Sequence, residues 1–170
     1  MIYWIFDLDD TIYQLSGRFS YHKLKPDQEL KTNISKLSGM KVLFTNGTHE
    51  HTQCVLKAMN LDSVFDFILD RDIVGVDNMK PDPKAFQILI NLCSIKENDL
   101  CYYFEDSINN LAVGYSLGWK TILIGTNYLK LTNKENFQLI VLVKINNQLQ
   151  HKTITINYHF NNIHQAITNF

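Results

Sequence analysis

The chain has 170 residues, 45% hydrophobic and 12% aromatic, enough to fill one core and consistent with a single domain over residues 1–170. Lys and Arg (16) nearly balance Asp and Glu (17), and the net charge of −1 excludes a general attraction to nucleic acid or anionic membranes, so an anionic ligand needs a local site. No run of about 18 apolar residues is present to span a bilayer. The amino-terminal apolar stretch meets acid at Asp7 with no basic segment before it, which argues against a signal peptide, and Cys54, Cys93 and Cys101 lack CxxC spacing and read as buried reduced thiols of a cytoplasmic protein.

Short apolar runs alternate with segments of helical period, the pattern of a parallel α/β fold. The first strand is expected at Ile2 to Phe6 and a helix at Asp27 to Leu37, with Leu30, Ile34 and Leu37 on one stripe. A second strand, Lys41 to Thr45, precedes a helix at His49 to Met59, whose core stripe is read as Cys54, Val55, Ala58 and Met59. Phe67 to Leu69 is the third strand. Asp82 as cap and Pro83 at the first helical position open a helix to Leu92, Leu100 to Phe104 is the fourth strand, and Ser107 starts a helix that Gly118 stops before a fifth strand at Thr121 to Ile124. Residues 126–170 form an extension of this core: FQLIVLVKI, a polar NNQ and KTITINYHF form a β-hairpin on the sheet edge, followed by a helix from Asn161 to Ile167, all read as scaffold without a catalytic part.

In a parallel α/β sheet, ligands bind outside the carboxyl ends of the strands. There the sequence places Asp7-Leu8-Asp9-Asp10-Thr11, Thr45-Asn46-Gly47 and Glu105-Asp106-Ser107, with Lys80-Pro81-Asp82-Pro83 leading into the helix before the fourth strand. Each signal alone is an ordinary turn or cap; the four in this order suit phosphoryl transfer through a covalent aspartyl-phosphate. Asp7 would be the nucleophile. Its obstacle is electrostatic, because two unit charges about 4 Å apart repel by roughly 4 kcal/mol at an effective dielectric of about 20. A magnesium ion on the Asp7 carboxylate, the Asp9 backbone carbonyl and the Asp106 carboxylate would remove it. Lys80, the Thr45 hydroxyl and the amides around Asn46 and Gly47 would hold the phosphate, and the Asp9 side chain would handle protons.

With these residues in place, the chain resembles the haloacid dehalogenase superfamily of phosphatases over residues 1 to about 125, through FDLDDT, LFTNG, KPDP and YFEDS. The resemblance implies a three-layer α/β/α sandwich with a mainly parallel, Rossmann-like sheet. It also implies Asp7 as nucleophile, Asp9 as general acid/base, Thr45 and Lys80 as phosphate binders, and Asp106 as a magnesium ligand, with Glu105 behind the first ligands. The wording LKPDQELKTNISKLSGMKVLFTNG, a following helix with His51, and FEDSINNLAVGYSLGWKTILIG are most similar to the pyrimidine 5'-nucleotidase branch. Those relatives carry a helical cap domain after the first motif; here YQLSGRFSYHKL, Tyr13 to Leu24, leaves room only for a small flap, so the cap is expected to be absent.

The leading expectation is therefore a magnesium-dependent phosphomonoesterase with an open site, suited to a phosphoprotein or nucleic acid end, or to a site covered by a second copy of the chain. A nucleoside monophosphate phosphatase is the alternative, and a non-catalytic binding module on the same fold is the third reading. Phe19 and Tyr21 in the flap read as structural, with substrate contact as the rival role. His49 and His51, two residues apart on a helix, do not face one another and are not expected to hold a metal; solvent exposure or substrate contact is the expected role. Asp62, Asp66, Asp70 and Asp72 read as surface or capping groups, and Trp4, Tyr102, Tyr103 and Trp119 as core.

Overall fold

The computed structural model describes residues 1–14, 18–125, 135–145 and 148–170. Seven strands form one sheet in the order β3-β2-β1-β4-β5-β7-β6, with β1 at Ile2–Phe6, β2 at Met40–Phe44, β3 at Phe67–Leu69, β4 at Leu100–Glu105, β5 at Lys120–Ile124, β6 at Glu135–Ile145 and β7 at Gln148–Phe160. All neighbours are parallel except β6 and β7. The first five strands fall within a residue or so of their expected places because each is a short apolar run bounded by turn residues.

Helices cover both faces, as the expected three layers require. Against one face lie α1 (Gln28–Lys36), α2 (His49–Met59) and α6 (Ile163–Ile167), whose Leu30, Ile34, Val55, Leu56, Ile163 and Ile167 pack with Phe6, Leu43 and Phe104. The short α3 (Arg71–Val74), α4 (Pro83–Cys93) and α5 (Ile108–Ser116) cover the other, where Phe86, Leu89 and Leu111 meet Ile5, Phe44 and Tyr103. Local chemistry sets several of the starts: the Asp27 carboxylate accepts from the Leu30 amide and that of Asp82 from the Lys84 amide, with Pro83 at the first turn. Ser107 stands at the cap of α5 but its side chain makes no capping bond; its amide instead donates to Glu105. Gly114 lets α5 approach β4, since a Cβ there would lie 2.8 Å from the Tyr103 ring.

One reading of the apolar pattern is corrected. The buried stripe of α2 is Thr52, Val55, Leu56 and Met59, an i, i+3, i+4, i+7 set, so Cys54 falls on the exposed side while Cys93 and Cys101 are buried. Asp70, read as a surface or capping group, is the cap of α3, accepting from the Asp72 and Ile73 amides, and is fully buried there. The expected hairpin is present as β6 and β7, joined to the parallel sheet where Ile122–Ile124 of β5 pairs with Tyr158–Phe160. Its polar turn at 146–147, the segment 126–134 and part of the flap, 15–17, lie outside the described residues. Phe170, after α6, packs its ring against Trp4, Tyr102, Phe104 and Tyr158, tying the extension to the first and fourth strands.

No helix among the described residues is long and apolar enough to cross a membrane.

Candidate active site

Strand order reverses beside β1: the chain proceeds from β1 outward to β2 and β3, then returns to place β4 on the other side. Loops leaving β1 and β4 therefore diverge and open a crevice at their carboxyl ends. Asp7 begins the first loop, its amide bonded to the Phe104 carbonyl at 2.9 Å; Glu105 ends β4 and Asp106 begins the second loop.

Lys80 arrives from the segment before α4 and is buried with Asp7 and Glu105, while Asp106 is half-buried. Its Nζ donates to Asp7 Oδ1 at 2.7 Å, to Glu105 Oε2 at 2.9 Å and to the Phe44 carbonyl at 2.6 Å. The Asn46 side chain positions the lysine backbone by a reciprocal pair, Nδ2 to the Lys80 carbonyl and the Lys80 amide to Oδ1, each 2.9 Å. The Asn46 side chain is thereby turned toward Lys80. Thr45 is buried, and its hydroxyl accepts from the Gly47 amide at 2.9 Å. Glu105 is saturated: beyond Lys80, Oε2 accepts from the Tyr103 hydroxyl at 2.7 Å and Asn110 Nδ2 at 3.0 Å, and Oε1 from the Ser107 amide at 3.0 Å.

Oxygens of Asp7, Glu105 and Asp106 lie within 4.8 Å of one another. Three carboxylates around one ammonium leave an excess of two negative charges, and the titration behaviour reflects it. Burial, reinforced by the charge of Glu105 and opposed by Lys80, pushes Asp7 up to about 7. Asp106 rises to about 8, through burial first and then its hydrogen bond and repulsion with Glu105. Burial would raise Glu105 too, but Lys80 and the donors around it outweigh that and hold it below the ordinary glutamate value. Lys80, lowered by burial, is raised further by Asp7 and Glu105 and so stays an ammonium. Hard oxygen donors with an unmatched charge of minus two fit a divalent cation, and with the lone pairs of Glu105 engaged elsewhere, Asp7 and Asp106 are the carboxylates with room for it.

Asp9 leaves this cluster. Its Oδ1 accepts from the Tyr13 hydroxyl and lies 2.7 Å from His51 Nε2 at the first turn of α2. Burial and the bond to Asp9 raise the Tyr13 phenol, so it remains a donor. His51 Nδ1 in turn lies 2.9 Å from the Tyr21 hydroxyl, and Phe19 sets its ring against both Tyr21 and His51. His49, two residues back, points elsewhere and pairs with Asp70 at 2.7 Å, as the helical spacing requires.

Sequence reasoning placed Asp7, Glu105, Asp106 and Lys80 at one crevice, but it missed Tyr13, Tyr103 and Asn110 and gave His51 solvent exposure or substrate contact where the structure gives it a bond to Asp9. For Asn110 a signal existed, since it lies five residues after Glu105 on the inner face of α5; for Tyr13 and His51 none did, because the loop path that brings them to Asp9 is not periodic.

A profile of haloacid dehalogenase-like hydrolases matches residues 14–118. The chain belongs to this family. Over 108 residues this hydrolase is 26% identical to (S)-2-haloacid dehalogenase 4A of Burkholderia cepacia, covering 62% of the chain and 46% of that protein. In structure it resembles a dehalogenase determined with an intermediate complex, at a TM-score of 0.52 and 24% identity, covering 63% of the chain and 47% of that one. A predicted phosphoglycolate phosphatase from Haemophilus somnus 129PT follows at a TM-score of 0.46 and 21% identity, over 57% of the chain and 42% of its own length. The hydrolase thus spans a little under half the length of these relatives.

Proposed function

We propose that this hydrolase is a magnesium-dependent phosphomonoesterase acting through an aspartyl-phosphate on Asp7. The observation that carries the reading is the buried Asp7–Lys80–Glu105 cluster with Asp106 beside it, together with a second aspartate, Asp9, held two residues from the nucleophile. Displacement of a halide by a carboxylate needs neither a divalent ion nor a proton donor, because the halide departs as a stable anion. Hydrolysis of a phosphate ester needs both: its substrate is anionic and its leaving alkoxide is a strong base.

Asp7 attacks phosphorus through a carboxylate oxygen as the bond to the leaving oxygen breaks, and Asp9 gives that oxygen its proton. Asp9 then takes a proton from water as the water attacks phosphorus, the bond to Asp7 breaks and inorganic phosphate leaves. Lys80 neutralises Asp7 and a phosphoryl oxygen, while the Thr45 hydroxyl, which accepts from the Gly47 amide and keeps its own proton to give, and the Asn46 amide, before the amino end of α2, donate to the others. Magnesium, held by Asp7, the Asp9 carbonyl and Asp106, would screen the charge of the phosphoryl group.

Among the described residues between β1 and α1 the flap contributes one turn of 3-10 helix, Tyr21–Lys23, which supports an uncapped site. An open crevice of this kind suits a phosphoprotein or nucleic acid end, or cover supplied by a second copy of the chain. Similarity of wording to pyrimidine 5'-nucleotidases keeps nucleoside monophosphates as the alternative substrates.

The test is release of nitrophenol from p-nitrophenyl phosphate in magnesium, by the wild type and by Asp7→Asn. Activity in the wild type and none in a folded variant is expected. Chloride release from 2-chloropropionate with no phosphatase activity would overturn the proposal in favour of dehalogenation.

A further inference from the structure

We infer that His51 is a positioning residue for Asp9, dictating which of its carboxylate oxygens handles protons; the inference rests on the phosphatase reading. Both donors that reach the Asp9 carboxylate, Tyr13 and His51, converge on one oxygen, Oδ1. A carboxyl oxygen accepting two such bonds has no place for its own proton. The acid form of Asp9 therefore carries its proton on Oδ2, and the base form presents the lone pair of Oδ2 to water.

This assignment requires His51 to be a donor at Nε2, and its surroundings make it one. Oδ1 of Asp9 can only accept, so Nε2, 2.7 Å away, carries the hydrogen that points at it, and Nδ1 is left to accept from the Tyr21 hydroxyl 2.9 Å away. The ring has little freedom to turn away. Its backbone amide is tied to the Thr48 hydroxyl at 3.1 Å in the first turn of α2, the Phe19 ring packs on it with centroids 5.4 Å apart, and a Cβ on Gly47 would lie 2.9 Å from its Cδ2. Glycine at position 47 thus leaves the space the imidazole occupies.

Stability alone does not account for the arrangement. The Asp9 side chain is 44% exposed, and pairs so open to solvent contribute little to folding. What the contacts supply is direction. A general acid that rotated freely would present either oxygen; Asp9 presents one. Tyr21 belongs to the flap, so the flap reaches the chemistry through His51, a role distinct from that of scaffold or of substrate wall.

The experiment compares kcat/KM on two esters, n-butyl phosphate, whose alkoxide leaves only with a proton, and p-nitrophenyl phosphate, whose phenolate leaves without one. For His51→Ala, a loss of about tenfold to a hundredfold is expected on the butyl ester, part of the roughly hundredfold or more that general acid catalysis contributes because Asp9 itself remains, and little loss on the nitrophenyl ester. On the latter, kcat and KM should fall together with a burst of nitrophenol, because water attack on the phosphoenzyme still needs Asp9. His51→Gln, which keeps a donor, should recover part of the loss, and Tyr21→Phe should show the same pattern at smaller size. Nitrogen NMR of the imidazole provides a readout independent of turnover: the Nε2–H tautomer is expected, and Nδ1–H would overturn the assignment. Equal losses on both esters, or none, would overturn the positioning role while leaving the phosphatase reading intact. Failure of the wild type on both esters would instead remove the phosphatase reading, and the inference with it.

Discussion

Replacing Lys80 with methionine removes the one ammonium of the buried cluster while keeping most of the side-chain volume. At 2.7 Å from Asp7 and 2.9 Å from Glu105, each attraction amounts to about 6 kcal/mol at an effective dielectric of about 20. Most of that gain offsets the cost of burying the ions, so the net loss is set by what the variant leaves behind: two carboxylates and the Phe44 carbonyl without their shared donor. Breaking a buried pair from one side costs about 3–5 kcal/mol. With a urea slope of about 2 kcal/mol/M, the midpoint of metal-free protein should fall by about 2 M. Part of the loss should return in Lys80→Met/Glu105→Gln, because the second change removes a carboxylate that no longer has a partner. Equilibrium urea unfolding followed by circular dichroism, in EDTA, measures all three proteins. A loss below about 1 kcal/mol at unchanged slope would refute the reasoning, since Lys80 would then not be the charge that holds these carboxylates in place.

Removal of metal should make stability pH-dependent in a defined sense. Asp7 and Asp106 are raised to about 7 and about 8, so the native state binds their protons more tightly than the unfolded chain; their stabilising contribution is full below the unfolded carboxylate range and is lost as pH rises through 7 to 8. In EDTA the Tm should therefore fall from about pH 5 to about pH 8 and level off above it, magnesium should restore more at the upper end, and a flat profile across that range in thermal scans would contradict the charge excess described above. Asn46→Ala deletes both bonds to the Lys80 backbone and should destabilise by about 2 kcal/mol in urea unfolding while lowering kcat/KM on p-nitrophenyl phosphate. Gly114→Ala forces a methyl group to within 2.8 Å of the Tyr103 ring and should cost about 1–3 kcal/mol, read from the urea midpoint. Phe170→Ala should cost about 1–3 kcal/mol through lost ring packing with kcat unchanged, as befits an extension that serves as scaffold.

The strand and helix pattern was legible because it is local. Ile2–Phe6, Phe67–Leu69 and Lys120–Ile124 announce themselves as apolar runs between turn residues, and Asp82-Pro83 writes the start of α4 into two adjacent side chains. The face of α2 was less legible: Thr52 is as buried as Val55, and Cys54, apolar by type, is exposed, because the neighbouring flap and sheet choose the face and composition does not.

Chain order and residue type were enough to lodge Asp7, Lys80, Glu105 and Asp106 at one end of a parallel sheet, since every strand of such a sheet delivers its following loop to the same side. Which of these groups bond to which was decided only in three dimensions. The saturation of Glu105 by Tyr103, Asn110, Ser107 and Lys80, and the convergence of Tyr13 and His51 on a single oxygen of Asp9, depend on loop paths and side-chain rotamers whose spacing obeys no period. Hydrogen bonds act over about 3 Å, whereas sequence patterns specify position only to a turn of helix or a strand end. The family could be read from order along the chain; which donor meets which carboxylate oxygen had to come from the fold.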